Sequence, residues 1–345
     1  MNPVRLAGYQ SNAELARYSY ATTLVGNHEP WFDEEPVTDV PDDHRSATHG
    51  RCRMTSGTVV RVEPLTSTIG AVVHDVDLTG PVELATIEAV RAALLRWRVL
   101  VLRDQHVTPS RQVACARGFG ELTPAHPLQG GLDERHPEVL VLDSRDYRLG
   151  VGDRREGTSY NNRWHTDVTF SARPPTASIL AAEEVPERGG DTLWADLVAA
   201  YRALSPGFRE LVDPLVAVHD ATLTFDRLRA EGGQTQVAAL APVRHPVVRL
   251  HPETGERGLF VNPVFTAHIE GLSRLESERL LELLYEHTTA PERVVRWRWR
   301  AGDVAVWDNR ATMHYAAADY DGPRVMHRVT VAGDRPFGPA DLGTA

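Results

Sequence analysis

Cysteine is nearly absent: among 345 residues only Cys52 and Cys115 occur, far apart and without a second pair. That excludes a disulfide framework and a cysteine-based zinc site, and it fits a reducing cytoplasm. No long Lys/Arg cluster appears, and the formal net charge is −10, so there is no basic excess for gripping a phosphate backbone. No apolar run approaches the roughly 18 residues needed to span a bilayer, and the N-terminus has no signal-type apolar stretch. These absences predict a soluble, cytoplasmic protein with neither nucleic acid nor membrane as partner. What is present is a 42% apolar composition, enough to bury the core of one large domain.

The first 57 residues differ from the rest. Acidic residues crowd between Glu29 and Asp43, interleaved with Pro30, Pro36 and Pro41. Such a segment cannot bury enough apolar surface to fold alone. Residues 1–57 therefore read as an N-terminal extension, either a mobile arm, a clasp on a partner subunit, or an over-long start ahead of Met54. Residues 58–345 read as the compact domain.

Within that domain, β-branched runs at Val59 to Val62 and Ile69 to Val73 predict short strands. Leu84, Ile87, Val90, Leu94 and Trp97 recur at helical spacing, and Val99 to Leu102 reads as a buried strand. A second helix is expected over Pro109 to Gly118. Further strands are expected at Glu138 to Leu142, Trp164 to Phe170, Ala177 to Ala182 and Val247 to His251. The last should pair with Gly258 to Val261 across a turn at Glu253 to Glu256. Asp220 to Pro242 reads as a long loop. Ser273 and Glu276 form a capping box before a helix through Leu280, Leu281, Leu284 and His287. Val294 to Trp299, Asp303 to Trp307 and Arg324 to Val331 complete the strands. Many strands with few, flanking helices imply a mixed α/β but mainly β fold, a jelly-roll (double-stranded β-helix) core.

Two His and one carboxylate on one face of a cation leave three positions open, the arrangement that iron(II) oxygenases use to admit a cosubstrate and O2. On a strand, residues i and i+2 share a face, so His165 and Asp167 can converge on one ion. Spacing alone is weak: random placement of the His and acidic residues yields about two His-x-acid pairs. The chain contains four. His136-Pro137-Glu138, His251-Pro252-Glu253 and His268-Ile269-Glu270 compete with His165-Thr166-Asp167.

The company of His165 and Asp167 separates them from these decoys. Trp164 to Phe170, with Gly189-Gly190-Asp191-Thr192-Leu193-Trp194, Trp307 to Tyr315 and Arg324-Val325-Met326-His327-Arg328, resembles the taurine dioxygenase (TauD/TfdA-like) family in order and approximate spacing. The likeness runs from about Val59 to Phe337. It implies a mononuclear Fe(II) dioxygenase that consumes 2-oxoglutarate and O2, with His165, Asp167 and His314 as ligands and His327 outside the metal shell. It also implies Arg324 and Thr192 as the grip on the far carboxylate of 2-oxoglutarate, a task suited to the planar fork of arginine.

For the substrate, the resemblance implies an anion held by Arg328 and His126, with the backbone at Val168, Asn161 and the rings of Phe225 and Phe265 completing the pocket. Arg328 lies four residues beyond Arg324, so both should leave one face of a strand. Gln129 and Tyr160 stand where taurine-specific members carry a Tyr and an Asp, so the amine end of taurine loses its counter-charge. The expected substrate is a small anionic molecule, a sulfonate, sulfate ester or phosphonate. A tailoring oxygenase of specialised metabolism, acting on a carboxylate or amino-acid-like compound, is the nearest alternative. A non-catalytic jelly-roll binding protein and a zinc hydrolase are alternatives of other classes. The Arg324 segment argues against both, since neither has use for a 2-oxo acid. Relatives often form homo-oligomers, and the same is expected here.

Overall fold

The computed structural model describes residues 60–126, 130–145, 160–222, 224 and 241–343. By its contacts the chain divides into Met1–Ala47 and Thr48–Ala345, and every described residue falls in the second unit. The proposed extension, Gln129, Phe225 and nearly all of the expected 220–242 loop lie outside the described residues.

In chain order the strands are β1 (Arg61–Pro64), β2 (Ala71–His74), β3 (Val99–Leu102), β4 (Leu140–Asp143), β5 (Ala177–Glu184), β6 (Thr192–Asp196), β7 (Val216–His219), β8 (Val243–Pro246), β9 (Val248–Leu250), β10 (Arg257–Leu259), β11 (Thr266–Ile269), β12 (Val294–Trp297), β13 (Val304–Asp308), β14 (Thr312–Ala316) and β15 (Val325–Val331). The helices are α1 (Leu84–Trp97), α2 (Pro109–Arg117), α3 (Leu197–Arg202), α4 (Pro206–Val212) and α5 (Arg274–Thr288).

Alternation along the strands builds two layers of core. The seven-stranded sheet runs β1-β2-β3-β13-β5-β15-β4, and a smaller sheet runs β12-β6-β14. Leu100, Leu102, Ile179, Ala181, Val304, Val306, Val329 and Val331 point to one face of the large sheet, where α1 and α2 cover them. Val99, Val101, Leu180, Ala305, Trp307 and Met326 point to the other face and meet Trp194, Val295 and Trp297 of the small sheet. Side chains of opposite parity thus serve opposite cores, as the pleat requires. Each fully buried Leu or Met contributes roughly 1.5–3 kcal/mol. Two facing sheets with flanking helices are the expected jelly roll.

A third element, the sheet β11-β7-β8, packs with α3, α4 and α5 around Leu259, Ile269, Leu281 and Leu284. The capping box forms: Ser273 Oγ accepts from the Glu276 amide while the Glu276 carboxylate accepts from the Ser273 amide. Helix α1 stops where Arg98 turns left-handed at φ 63°, and its N–H donates to Leu94 O.

Several expectations need correction. Trp164 to Phe170 is not a strand: His165 forms an isolated bridge, and Asp167 to Phe170 make a turn. The reason is Val168, whose φ of 53° no strand can contain. Strands β1 and β2 each begin two residues later than expected. Strands β6, β7, β8, β11 and β14 were not foreseen as strands, because each is four or five residues long and too short to show a period of its own.

Candidate active site

His165 and His314 occupy one rung between the loop after Asn162 and β14. Each backbone N–H donates to the other's carbonyl, at 2.9 and 2.7 Å, and the ring centroids are 4.1 Å apart. Thr166 Oγ1 donates to Thr312 O at 2.8 Å and fixes the neighbouring rung. The chain then turns, and Asp167 swings its carboxylate back beside the two rings. Donor atoms of His165, Asp167 and His314 lie within 4.8 Å of one another, and all three residues are buried. The structure therefore brings the expected triad together, though through a bridge and a turn rather than along a strand.

The decoys go elsewhere. Glu138 pairs with Arg117, Glu270 with Arg244, and Glu253 with Arg91 and Arg310. His327 faces Glu183, away from the triad.

The donor set fits a divalent iron. His165 Nδ1 donates to Arg163 O at 2.7 Å, so its Nε2 carries the lone pair a metal needs. Burial pushes the His165 imidazolium down to about 4, and burial likewise holds His314 well below its ordinary value. Both rings are thus neutral near pH 7. Burial alone would favour a protonated Asp167, but the Arg328 guanidinium, the two imidazoles and the Ser178 hydroxyl together keep it ionised well below the usual carboxylate range. Two neutral imidazoles and one carboxylate suit Fe(II) and leave coordination sites for exchangeable ligands.

A short hydrogen-bond series fixes the carboxylate. Trp307 Nε1 donates to Asn309 Oδ1 at 2.8 Å, and Asn309 Nδ2 donates to Ser178 Oγ at 2.8 Å. Ser178 then donates to Asp167 Oδ2 at 2.7 Å, which leaves Oδ1 on the side of His314 Nε2, 3.8 Å away. Neither Ser178 nor Asn309 was singled out from sequence. Asn309 stands inside the quoted Trp307 to Tyr315 motif, which was the available signal.

Arg324 and Thr192 meet as expected. Arg324, buried just before β15, donates from Nε to Gly190 O at 3.0 Å and from Nη2 to Thr192 Oγ1 at 3.4 Å. Thr192 Oγ1 also accepts from Trp299 Nε1 at 2.9 Å. With both acceptor positions filled, the hydroxyl can only donate to a ligand. A carboxylate, which only accepts, fits that cradle.

On the other side of the triad, aromatic rings run from His126 through Phe170 and Phe265 to His165, with centroid distances of 6.4, 4.9 and 6.5 Å. Burial, and then Arg328, lower the His126 imidazolium to about 4. Arg328 stands on β15 two residues after Met326, and its Nη1 donates to Asp167 Oδ1 at 2.5 Å. That ion pair was not foreseen. Asn161 lies in the 3-10 turn Tyr160–Asn162, which packs on β14. Phe170 was missed as a site residue although it ends the first quoted motif.

The chain matches the profile of the taurine catabolism dioxygenase TauD, TfdA family over residues 61–330. It is 41% identical to an alpha-ketoglutarate-dependent sulfate ester dioxygenase of Pseudomonas putida, over 80% of this chain and 91% of that protein. It is 36% identical to an alkylsulfatase of Acinetobacter baylyi, over 80% of this chain and 86% of that one. A crystal structure of a taurine dioxygenase from Burkholderia xenovorans superposes with a TM-score of 0.68 at 42% identity, covering 81% of this chain and 93% of the other. The triad geometry and these likenesses agree, and the chain belongs to the TauD, TfdA family of 2-oxoglutarate-dependent non-haem iron dioxygenases.

Proposed function

We propose that the protein hydroxylates a small organic anion, a sulfate ester or an alkyl sulfonate, at a carbon held beside iron. His165, Asp167 and His314 hold the metal, and Arg324 with Thr192 holds the distal carboxylate of 2-oxoglutarate. Arg328, His126 and the Val168 backbone receive the substrate's anionic head, while Phe170 and Phe265 line the path of its carbon chain. The observation that carries this reading is Arg328 on β15, buried beside the triad and four residues from Arg324. One short stretch, Arg324 to Arg328, thereby offers a cation to each of two anions.

Hydroxylation draws its oxidising power from O2 and 2-oxoglutarate at the iron, with succinate and CO2 released. The protein's own residues orient the substrate and exclude water. If the hydroxylated carbon bears the sulfate oxygen, the adduct collapses to an aldehyde and sulfate; a carbon bearing the sulfonate gives an aldehyde and sulfite. The relatives named for sulfate esters and alkyl sulfates support this class over phosphonates.

We also read residues 1–57 as an extension outside the catalytic domain, and the cytoplasm as its compartment. Among the described residues no helix is long and apolar enough to cross a membrane. Cys115 is a free, buried thiol, in keeping with a reducing compartment.

The test is a turnover screen with Fe(II), 2-oxoglutarate and O2 over octyl sulfate, hexanesulfonate, taurine, octylphosphonate and octanoate. Succinate should form in step with sulfate or sulfite for the first two, and Arg328→Ala should lose that coupled turnover. Turnover of uncharged compounds alone, or undiminished turnover in Arg328→Ala, would overturn the substrate reading. Activity with zinc and no 2-oxoglutarate would overturn the reaction.

A further inference from the structure

Two strands of the β11-β7-β8 sheet and the loop after β10 converge on a single residue of the metal-side turn. Thr169, two residues after Asp167 and buried at 1% exposure, lies between them. His219, the last residue of β7, has Nδ1 3.0 Å from Thr169 Oγ1. His245 of β8 donates from Nε2 to Thr169 O at 2.9 Å and to Ser171 O at 3.0 Å. Asn262, in the loop after β10, donates from Nδ2 to Thr169 Oγ1 at 3.0 Å.

The same Asn262 reaches the substrate side. Its Oδ1 accepts from the amide of Phe265 at 2.9 Å and from that of Val264 at 3.2 Å. Its carbonyl accepts from Tyr285 of α5 at 3.1 Å. One amide therefore links the turn that carries Asp167 and Val168 to the loop that carries Phe265. Both histidines are buried, with rings 5.0 Å apart, and neither lies within reach of the triad as a ligand.

Val168 is what such a device would have to hold. A β-branched residue at φ 53° is strained, and strain of this kind persists only where the surroundings over-determine it. Within the turn, Ser171 N donates to Val168 O at 2.9 Å. Asp167 has a separate anchor in Ser178, on β5. Asp167 and Thr169, which flank Val168, are thus held from different sheets.

We propose that Thr169, His219, His245 and Asn262 form a positioning clamp that keeps Val168 in its left-handed conformation and sets its backbone against the substrate anion, independently of metal binding. None of the four touches the reacting atoms; they act through Val168 and Phe265. The inference rests on the reading of Val168 as part of the anion site. It assigns the chain a division of labour: β5 fixes the ligand, and the β7-β8 side fixes the substrate.

The test compares Thr169→Val, which keeps the shape and removes the hydroxyl, with Thr169→Ser, which keeps the hydroxyl. Three quantities are read on the full chain: amide hydrogen exchange over residues 164–172, the Mn(II) dissociation constant, and KM and kcat for octyl sulfate with iron. Thr169→Val should raise KM on the order of tenfold, since small misplacements near reacting groups are costly. It should also speed exchange at Val168 to Ser171, while Mn(II) affinity stays within about twofold, as expected for an independently held site. Thr169→Ser should restore both.

Unchanged exchange and KM in Thr169→Val would overturn the clamp, and so would a loss of Mn(II) affinity as large as the rise in KM. If Thr169→Val does not fold, Asn262→Ser, too short to reach Thr169, is read in the same way. If the parent does not turn over octyl sulfate, the substrate reading fails on its own. The exchange comparison and Mn(II) affinity then decide the clamp.

Discussion

Gly189 sits so near Asp319 that a β-carbon on it would stand 2.2 Å from the Asp319 carbonyl oxygen. Its φ of 72° disfavours a side chain as well. The contact seats the next glycine, whose N–H donates to Asp319 Oδ1 at 3.0 Å and whose carbonyl accepts from Arg324. Gly189→Ala should therefore displace the Arg324 cradle. We expect a lower melting temperature and weaker 2-oxoglutarate binding, measured by calorimetric titration of the Mn(II)-loaded protein, with Mn(II) affinity retained.

Arg324→Lys keeps the charge and loses the fork. All 37 basic residues of this chain are arginine, so the variant would carry its first lysine. Losing the bonds to Gly190 and Thr192 should weaken 2-oxoglutarate on the order of tenfold, for about 1.4 kcal/mol. The same titration checks it, and an unchanged affinity would mean that another cation holds the distal carboxylate.

Asp167 bears two burdens, and substitutions separate them. From sequence, Asp167→Ala deletes a ligand and adds no buried charge. In the structure it also strips Arg328 of its buried partner, a loss of about 3–5 kcal/mol. Asp167→Ala should thus abolish Mn(II) binding and lower the melting temperature together. Glu138→Ala and Glu270→Ala should do neither, since their partners lie at the surface. Glu253→Ala should cost stability through Arg310 while keeping the metal. Retained Mn(II) binding in Asp167→Ala would show that the wrong pair had been chosen.

Ser178→Ala removes the donor to Asp167 Oδ2 without touching the ligand atom that faces His314. Loss of such an outer partner weakens metal binding by about 10- to 100-fold. Equilibrium dialysis with Mn(II) should show it, while KM for an alkyl sulfate at saturating metal should move little.

Acid should destabilise the metal-free protein in two stages. His126, His165 and His245 are lowered to about 4 chiefly by burial, and burial likewise holds His219 and His314 well below the ordinary imidazole value. The unfolded chain takes up these protons near 6.5 and the folded one does not until about 4 or below, so stability falls as pH drops through that window. Asp167 and Asp308 act in the same direction at lower pH: held ionised well below the usual range, they add stability that is lost as pH falls below the ordinary carboxylate value of about 4. Melting temperature measured from pH 7.5 to 4.5 should decline most steeply below about 6.5. A profile flat to pH 5 would contradict the neutral-histidine reading.

The pattern of legibility follows from distance along the chain. His165 and Asp167 could be picked out because they lie two residues apart within a recognisable motif, and the seven-stranded core because its apolar runs are long. Val168 could not, since nothing in Asp-Val-Thr announces a left-handed valine. Ser178, His219, His245 and Asn262 were equally opaque. Each matters through one hydrogen bond to a residue far away in sequence, and an isolated Ser or His carries no mark of its future partner. Arg328 was legible as a cation near the site; its bond to Asp167 depends on how two sheets close on each other.

The rung shared by His165 and His314 joins segments separated by almost half the chain. Closing so long a loop is entropically slow, and nothing local rewards it before both sheets are in place. The ligand set therefore depends on long-range closure, unlike those of small metal domains in which the ion nucleates the structure. Local opening of that isolated bridge would part His165 from His314 without touching the core that α1 and α2 cover, so iron can be lost from this enzyme with its helices still in place.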